Sequence, residues 1–298
     1  MPAELVQFQE PRCAPGQKRV NVLAGGLNSS DQQRADGVLG ARTEGPYVIG
    51  GEGVGHLENG ERVYFGHSVR PWGSWCETTL VDEREIWPIP DDLPADQAIA
   101  LGISGTGALI PLEEARIQQG ERVLILGATG PLGQIALQLA RLMGAGTVVA
   151  AARNMAALER VRERGWAQEI AQIGTTDDIA SLGAVAGEGF DVVLDIVYGT
   201  PAEAALLNTR KFARIMSIGV QAGPTMTIAL KDLAYRTHYG VGTGRRPVEE
   251  RKAAFYRLVA RAIAGELTVD TVAYALEDGP AAWADQAASP HAKIYVRP

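Results

Sequence analysis

The hydrophobic pattern of the chain changes near residue 105. Before that point, short apolar runs alternate with turns rich in Gly and Pro, as in "RVNVLA", "ERVYFG" and "ETTLV". This alternation of short apolar runs and turns predicts an antiparallel β domain. After a helix predicted over 248–264, the same alternation returns in "TVAYAL", followed by a short helix predicted over 281–288 and then by "AKIYV". We therefore expect the C-terminal segment to rejoin the first domain.

Between about residues 122 and 240, apolar runs alternate with amphipathic segments. The pattern predicts strands over 123–126, 148–151, 192–194, 215–218 and 239–241. It predicts helices between them, over 131–143, 155–164, 177–186 and 201–209. This alternation is typical of parallel strands with helices on both faces. The sequence thus predicts an α/β fold with a Rossmann-type, doubly wound parallel sheet beside the antiparallel β domain.

The stretch "VLILGATGPLGQIALQLARLMGA" joins the first of these strands to its helix through a glycine-rich turn. Pro131 suits the first helical position, where a missing N–H costs nothing. The free amides and the dipole at this end of the helix favour an anion. Gly130 allows the backbone to approach a pyrophosphate, and Gly133 allows the helix to pack close to the strand. The alternative is a tight turn with a purely structural role.

The end of the second parallel strand indicates which dinucleotide is bound. An acidic residue about 20 positions after the glycines accepts hydrogen bonds from the ribose of NAD. Here Ala152 and Arg153 stand in that place. A guanidinium pairs instead with a 2'-phosphate, which favours NADP(H). A solvated surface arginine is the alternative, and Thr129 and Asn154 are weaker candidates for the same phosphates and ribose.

Composition narrows the class of partner. The chain has 298 residues, of which 46% are apolar and 21% charged, and its net charge is −7. This charge argues against a nucleic-acid or membrane-surface binder. Two cysteines, Cys13 and Cys76, suggest a reducing compartment. We see neither a signal peptide nor an apolar run long enough to span a bilayer, so we expect a cytoplasmic protein.

Several motifs together resemble the medium-chain dehydrogenase/reductase superfamily. They are "AGGLNSSD", "GGEGVG", "GERVYF", "GSWCETTLV", the glycine turn with its helix, and "ASPHAKIYV". The chain is most similar to the zinc-free, quinone-oxidoreductase-like branch. The resemblance implies a GroES-like substrate domain over 1–105, completed by 266–298, and a Rossmann dinucleotide-binding domain over 106–265.

The resemblance to the zinc alcohol dehydrogenases of this superfamily fails at the metal positions. Asn28 stands where they place a catalytic Cys, Gly51 where they place a His, and Ile103 where a third ligand would stand. Glu52 is retained. Zinc needs three or four N, S or O ligands, so we predict no metal.

The resemblance implies an NADPH-dependent oxidoreductase that transfers hydride to a conjugated carbonyl (an enone) or a quinone without a metal. Without a Lewis acid, hydrogen bonds must stabilise the developing oxyanion, and a conjugated substrate eases that demand. Two alternatives stay open. One is a zinc-free carbonyl reductase or alcohol dehydrogenase, and the other is a non-catalytic NADP(H)-binding protein.

Four residues of the first domain are candidates for catalysis. In zinc-free relatives an Asn at the place of Asn28 faces the nicotinamide, so its amide is expected to donate to the substrate oxygen; a turn-forming Asn is the alternative. Asp31 is expected to orient Asn28 or a water, or simply to cap a helix. Tyr64 or Tyr47 is expected to donate a proton, with a packed aromatic as the alternative for each.

The cofactor is expected to contact the glycine turn, the place where the chain enters the second domain, and the ends of the later strands. The predicted cofactor-binding residues are Thr106, Ala128, Thr129, Gly130, Pro131, Leu132, Gly133, Arg153, Asn154, Asp195, Gly219 and Val241. Asp195 is expected at the adenosine half, with capping of the next helix as the alternative. Relatives commonly pair their Rossmann sheets edge to edge, so we expect a homodimer that acts on a small-molecule substrate.

Overall fold

The structure, a computed structural model, describes residues 3–38 and 45–298. The chain folds into two compact units. The first comprises Met1–Ser104 and Pro247–Pro298, and the second comprises Gly105–Arg246. The first division lies one residue before the boundary predicted at 105/106. The chain returns to the first unit at Pro247, earlier than the predicted residue 266.

The N-terminal part of the first unit is mainly antiparallel sheet. Its strands are β1 (Gln17–Gly26), β2 (Gly53–His56), β3 (Arg62–Phe65), β4 (Thr78–Asp82) and β5 (Ile86–Pro88). Its helices are α1 (Ser29–Ala35) and α2 (Ala95–Ala100). Strand β1 pairs antiparallel with β2 and β4, and β3 pairs antiparallel with β2 and β5. Val20, Val63, Phe65 and Val81 form a buried core beneath these strands.

The second unit alternates strands and helices. Its elements are α3 (Thr106–Ala115), β6 (Arg122–Leu126), α4 (Pro131–Leu142), β7 (Thr147–Ala152), α5 (Met155–Glu163), β8 (Glu169–Gln172), α6 (Asp178–Ala186), β9 (Phe190–Asp195), α7 (Gly199–Leu207), β10 (Thr209–Ser217), α8 (Leu230–Leu233) and β11 (Thr237–Gly240). The strand order is β11-β10-β9-β6-β7-β8, and neighbouring strands are parallel. The order reverses between β6 and β9, and ligands bind at such a switch point beyond the carboxyl ends of the strands.

The predicted parallel strands are confirmed, and one further strand was missed. Strand β8 reads "EIAQ", and Ala171 is its single buried residue. It lies at the edge of the sheet beside β7. A four-residue edge strand has too few buried positions to leave an apolar run in the sequence. The last predicted strand begins two residues earlier than expected, at Thr237.

The returning segment adds α9 (Val248–Ile263), β12 (Thr271–Ala275), α10 (Gly279–Ala287) and β13 (Lys293–Arg297) to the first unit. Strand β13 pairs antiparallel with the end of β1. The pair β12–β13 is parallel, so the sheet is antiparallel except at this edge. The predicted fold class, a Rossmann unit with a β-rich unit of mainly antiparallel strands, is confirmed. In the described part of the chain, no helix combines the length and apolar character that a membrane span requires.

Candidate active site

A buried carboxylate, Glu52, organises the polar centre of the first unit. It directly precedes β2 and is 0% exposed. Its Oε1 accepts hydrogen bonds from Asn28 Nδ2 at 2.8 Å and from Lys293 Nζ at 2.6 Å. Its Oε2 accepts from the Tyr64 hydroxyl at 2.7 Å and from the backbone N–H of Ile103 at 2.8 Å. A buried charge requires such pairing, and these four bonds supply it.

The ionisation of Glu52 follows from these partners. Burial by itself would raise the pKa of Glu52, because it penalises the charged form. The attraction of Lys293 and the hydrogen bonds from Lys293, Tyr64 and Ile103 outweigh burial and hold the pKa below its ordinary value. Glu52 is therefore an anion at neutral pH, beside the Lys293 cation.

Asn28 lies at this centre, and its contact with a nicotinamide or a substrate stays a prediction. It is the residue before helix α1 and is 9% exposed. Its Nδ2 donates to Glu52, and its Oδ1 accepts from Lys293 Nζ at 2.6 Å. The side chain amide is thus held at both ends. Because Nδ2 carries two N–H groups, one remains after the bond to Glu52.

Asp31 contacts the backbone of Asn28. Its Oδ2 accepts from the Asn28 N–H at 2.9 Å, which satisfies one of the unpaired amides at the start of α1. Burial is the main cause that raises the pKa of Asp31, against the hydrogen bond from Asn28 and the charge of Arg34. This geometry supports the helix-capping alternative for Asp31, with Asn28 oriented through its backbone.

The two candidate tyrosines differ in their surroundings. Tyr64 is 1% exposed, and its ring stacks on Phe255 with centroids 4.6 Å apart. Burial foremost, and then the charge and hydrogen bond of Glu52, raise the pKa of Tyr64 well above its ordinary value. Its proton is committed to Glu52, which supports the packed-aromatic alternative. Tyr47 is half-buried beneath the Arg70 guanidinium, 4.3 Å from the ring centroid, and its role as a proton donor stays a prediction.

The residues at the expected metal positions do not fit zinc. Asn28 Oδ1 and Glu52 Oε1 already bind the ammonium of Lys293. Ile103 directs a backbone N–H, which cannot ligate a cation, to Glu52. In residues 3–38 and 45–298, no group of three or more His, Cys, Asp or Glu side chains is arranged to hold a metal. The ammonium group of Lys293 therefore occupies this polar centre.

The glycine turn of the second unit fits a dinucleotide phosphate. Gly127 has φ +79°, and α4 begins at Pro131. A Cβ on Gly133 would lie 2.4 Å from the Gly127 carbonyl oxygen, so this glycine permits the close approach of helix and strand. A Cβ on Gly130 would meet no protein atom nearer than 3.9 Å. A side chain at Gly130 would therefore not collide with these atoms, and the position lies at the positive end of α4.

The other residues predicted to bind the cofactor lie in this turn or on other elements of the second unit. Ala128 and Thr129 are buried within it, Leu132 is half-buried in the first turn of α4, and Thr106 is the buried first residue of α3. Arg153 follows β7 directly and is exposed.

Asn154 has a local structural role. It precedes α5, and its Oδ1 caps that helix by accepting from the Ala157 N–H at 3.0 Å. The cap occupies this oxygen, so only the amide N–H groups of Asn154 remain for a ribose or phosphate.

A polar chain that the sequence did not reveal joins the ends of β9 and β10 to the second residue of β11. Asp195 Oδ1 accepts from the backbone N–H groups of Val197 and Tyr198, at 3.0 and 2.7 Å. Its Oδ2 accepts from the Ser217 hydroxyl at 2.6 Å, and Ser217 Oγ lies 2.9 Å from His238 Nε2. Burial foremost raises the pKa of Asp195. These bonds support the capping alternative for Asp195.

Gly219 and Val241 follow the neighbouring strand ends. A Cβ on Gly219 would lie 1.9 Å from the carbonyl oxygen of Ile196, so close packing of two loops explains this glycine. Val241 is buried and donates its N–H to the Ser217 carbonyl at 2.8 Å. Contact of either residue with a cofactor stays a prediction.

Lys293 is the functional residue that sequence reasoning missed. It begins β13, "KIYVR", in which the first four residues are buried. A lysine inside a fully buried stretch is a signal in itself, because buried lysines require partners. Its partner Glu52 lies 241 residues away, which no local pattern reveals.

Comparisons with known sequences relate the chain to dehydrogenases and reductases. Residues 131–261 match the family model of the zinc-binding dehydrogenases. The chain is 27% identical over 248 residues to quinone oxidoreductase-like protein 2 of Rattus norvegicus, covering 77% of this chain and 69% of the relative. It is 31% identical over 229 residues to a mycocerosic acid synthase-like polyketide synthase of Mycobacterium tuberculosis, covering 72% of this chain and 11% of the relative. The chain thus spans about a tenth of the polyketide synthases that it matches.

Solved structures share the fold over nearly the whole chain. The quinone oxidoreductase of Thermus thermophilus, known also in complex with NADPH, has a TM-score of 0.82 at 27% identity. That likeness covers 99% of this chain and 96% of the other. The Escherichia coli quinone oxidoreductase complexed with NADPH has a TM-score of 0.86 and covers 98% of this chain and 95% of its own. At 20% identity, the second likeness shows the fold alone.

Proposed function

Because this chain belongs to the medium-chain dehydrogenase/reductase superfamily, in its quinone-oxidoreductase-like branch, we propose that it is an NADPH-dependent oxidoreductase that reduces a conjugated carbonyl or a quinone without a metal. The observation that carries this proposal is the Asn28 amide, held by a carboxylate and an ammonium where the related zinc enzymes place a metal ligand. The donor set there suits hydrogen bonding and not zinc.

Two features of the second unit support NADP(H) as the cofactor. The uncrowded Gly130 at the start of α4 suits a pyrophosphate, and the exposed Arg153 directly after β7 suits a 2'-phosphate. The relatives from Thermus thermophilus and Escherichia coli are known in complex with NADPH. When bound, the nicotinamide supplies the hydride.

Asn28 has the chemistry to stabilise the negative charge that develops on the substrate oxygen. The N–H of Nδ2 that Glu52 leaves unused donates to that oxygen. A single neutral donor is weak compared with a metal ion, and a conjugated acceptor compensates because it spreads the charge over its π-system. Tyr64 has no part as a proton donor in this proposal, since its O–H binds Glu52. The proton comes from Tyr47 or from water.

We also propose that the chain forms a homodimer through the edge of the parallel sheet. Strand β11 is that edge, and Tyr239 on it is 49% exposed. Two further aromatic side chains, Tyr235 and Phe212, are 67% and 75% exposed, and their rings contact each other. Light scattering of the purified chain tests this, and a monomer at all concentrations would contradict it. Localisation in the cytoplasm stays a prediction.

The substrate class is tested with a panel of an enone, a quinone, a saturated ketone and an aldehyde, followed by NADPH absorbance and product analysis. We expect turnover of the enone or quinone that survives a chelator. Asn28→Ala should lower kcat by about 10²–10³ with a smaller change in KM, because one oxyanion donor is lost. Asn21→Ala, on an exposed residue of the preceding strand β1, is the matched control.

The other outcomes identify the alternatives. An alcohol product from the saturated ketone would favour a carbonyl reductase. Binding of NADPH without oxidation by any member of the panel would favour a non-catalytic cofactor-binding protein.

A further inference from the structure

Lys293, Glu52 and Asn28 close a triangle of hydrogen bonds. Lys293 is 1% exposed, and its Nζ donates to Asn28 Oδ1 and to Glu52 Oε1, each at 2.6 Å. The third side is the bond from Asn28 Nδ2 to Glu52 Oε1 at 2.8 Å. Each corner thus contacts the other two.

The triangle admits one orientation of the Asn28 amide. An ammonium only donates hydrogen bonds, and a carboxylate only accepts them. If the amide turned over, its N–H groups would face Lys293 and its oxygen would face Glu52, and both contacts would be repulsive. Lys293 and Glu52 therefore determine where the remaining N–H of Nδ2 lies.

The pair also removes a net charge from the surroundings of Asn28. Glu52 alone would place a buried anion one hydrogen bond away from the amide. Such an anion would repel negative charge that develops on a substrate oxygen bound to the same amide. Lys293 neutralises it at 2.6 Å.

Glu52 is anchored independently of Lys293. Its second oxygen holds the Tyr64 hydroxyl and the Ile103 N–H. Removal of the ammonium therefore leaves the carboxylate in place, and Asn28 Oδ1 loses the hydrogen bond that it accepts from Lys293.

We propose that Lys293 is a positioning residue, which acts with Glu52 to hold the Asn28 amide in the orientation that donates to the substrate oxygen. This proposal rests on the proposed function for its catalytic consequence. It also gives the returning strand β13 a task, because β13 lies beside the end of β1, with Gly25 opposite Val296 and Gly26 opposite Tyr295. The C-terminal segment thereby completes a site begun near the N-terminus.

The test uses Lys293→Met alone and Lys293→Met combined with Glu52→Gln. The single variant leaves an unpaired buried carboxylate and is expected to lose stability. The double variant removes both charges and keeps the shapes, so it keeps the protein folded. In the double variant, the side-chain oxygen of residue 52 still accepts hydrogen bonds from Tyr64 and Ile103. The new NH₂ group at residue 52 then faces Asn28, and the Asn28 amide turns over so that its oxygen accepts from that group.

The first measurement needs no activity. In the wild-type protein without cofactor, the side-chain amide of Asn28 should give one pair of NMR signals, identified by their loss in Asn28→Ala. In the double variant, these signals should move or double. Unchanged signals would overturn the proposal, whatever the enzyme does.

The second measurement is kinetic. The double variant should bind NADPH as the wild type does and lose about 10–100-fold in kcat, with KM changed less than about threefold. The single variant should lose more, because its carboxylate repels the developing charge. Retention of wild-type kcat in both variants would overturn the proposal.

Arg251→Met is the matched control. Arg251 also forms a mostly buried ion pair in the first unit, and its partner is Glu85. This ion pair does not contact Asn28. We expect it to lower stability and leave kcat unchanged. If the wild-type protein shows no turnover, only the proposed function fails. The positioning proposal is still tested, because the NMR measurement reports the orientation of the Asn28 amide without activity.

Discussion

Among single residues, Arg153 and Lys293 show how the surroundings of a cation decide what it does. Arg153 is exposed at the end of β7, where it can meet a ligand. Its guanidinium presents a planar fork that matches phosphate oxygens. Lys293 is buried and holds two neighbours at 2.6 Å. The exposed cation suits reversible recognition, and the buried one suits fixing the geometry of other side chains.

Arg153→Ala should therefore weaken NADPH binding by about 10–100-fold and leave NADH binding nearly unchanged, since one charge-assisted contact to the 2'-phosphate is lost. Fluorescence titration with both coenzymes measures this. Arg160→Ala, on an exposed arginine in the last turn of α5, is the control and should bind both coenzymes as the wild type does. Equal affinity of the wild type for NADPH and NADH would contradict the role of Arg153.

Among the secondary-structure elements, the turn from β6 to α4 uses its glycines for different purposes. Gly133 lies where a side chain would collide with the backbone of Gly127 and Ala128. Gly130 has φ −78° and ψ 169°, an extended conformation that any residue adopts, and no protein atom crowds it. The packing of the protein thus requires the glycine at 133 and does not require the one at 130.

This difference predicts opposite outcomes for two alanine substitutions. Gly133→Ala should lower the free energy of unfolding by about 1–3 kcal/mol, because the methyl group overpacks the turn. Gly130→Ala should change it by less than about 0.5 kcal/mol and yet weaken NADPH binding at least about tenfold. Urea denaturation and fluorescence titration measure the two effects. Normal coenzyme affinity in Gly130→Ala would show that the pyrophosphate lies elsewhere.

Over the full length of the molecule, the chain leaves the β-rich unit and returns to it. Helix α9 is amphipathic and follows β11, so its pattern continues the alternation of the Rossmann unit. Its contacts place it in the first unit, where Phe255 stacks on Tyr64 and Arg251 pairs with Glu85 at 2.5 and 3.0 Å. This packing explains why the return occurs at Pro247.

The Glu85–Arg251 pair should make stability depend on pH. Burial opposes ionisation of Glu85, but His67, whose Nδ1 lies 3.5 Å from Glu85 Oε2, and the hydrogen bonds from Arg251 lower the pKa of Glu85 from 4.5 to about 2. A lowered pKa means that this stabilisation is fully present above about pH 5 and is lost as the pH falls toward 2. Arg251→Met should lower the free energy of unfolding by about 1–2 kcal/mol at neutral pH and flatten its fall in acid. Urea denaturation at several pH values measures this, and an unchanged slope would contradict it.

The order of amino acids was enough to establish the parallel strands, the glycine turn, the order of the two units and the candidates Asn28 and Arg153. Periodicity and turn residues are local, and the chain need not fold for them to be visible. The resemblance added the position of Asn28 but not its partners. Strand β8 was not predicted, because "EIAQ" has too few buried residues to produce a hydrophobic pattern in the sequence.

Which charged groups meet could be learned only from the folded chain. Glu52 and Lys293 are 241 residues apart, and they meet because β1 pairs both with β2, which Glu52 precedes, and with β13, which Lys293 begins. The same holds for Asp195, Ser217 and His238, which meet across the neighbouring strands β9, β10 and β11. Pairing across a sheet depends on register, and a slip of one residue would turn each side chain to the other face. Local pattern therefore reveals the elements, and strand pairing decides the chemistry between them.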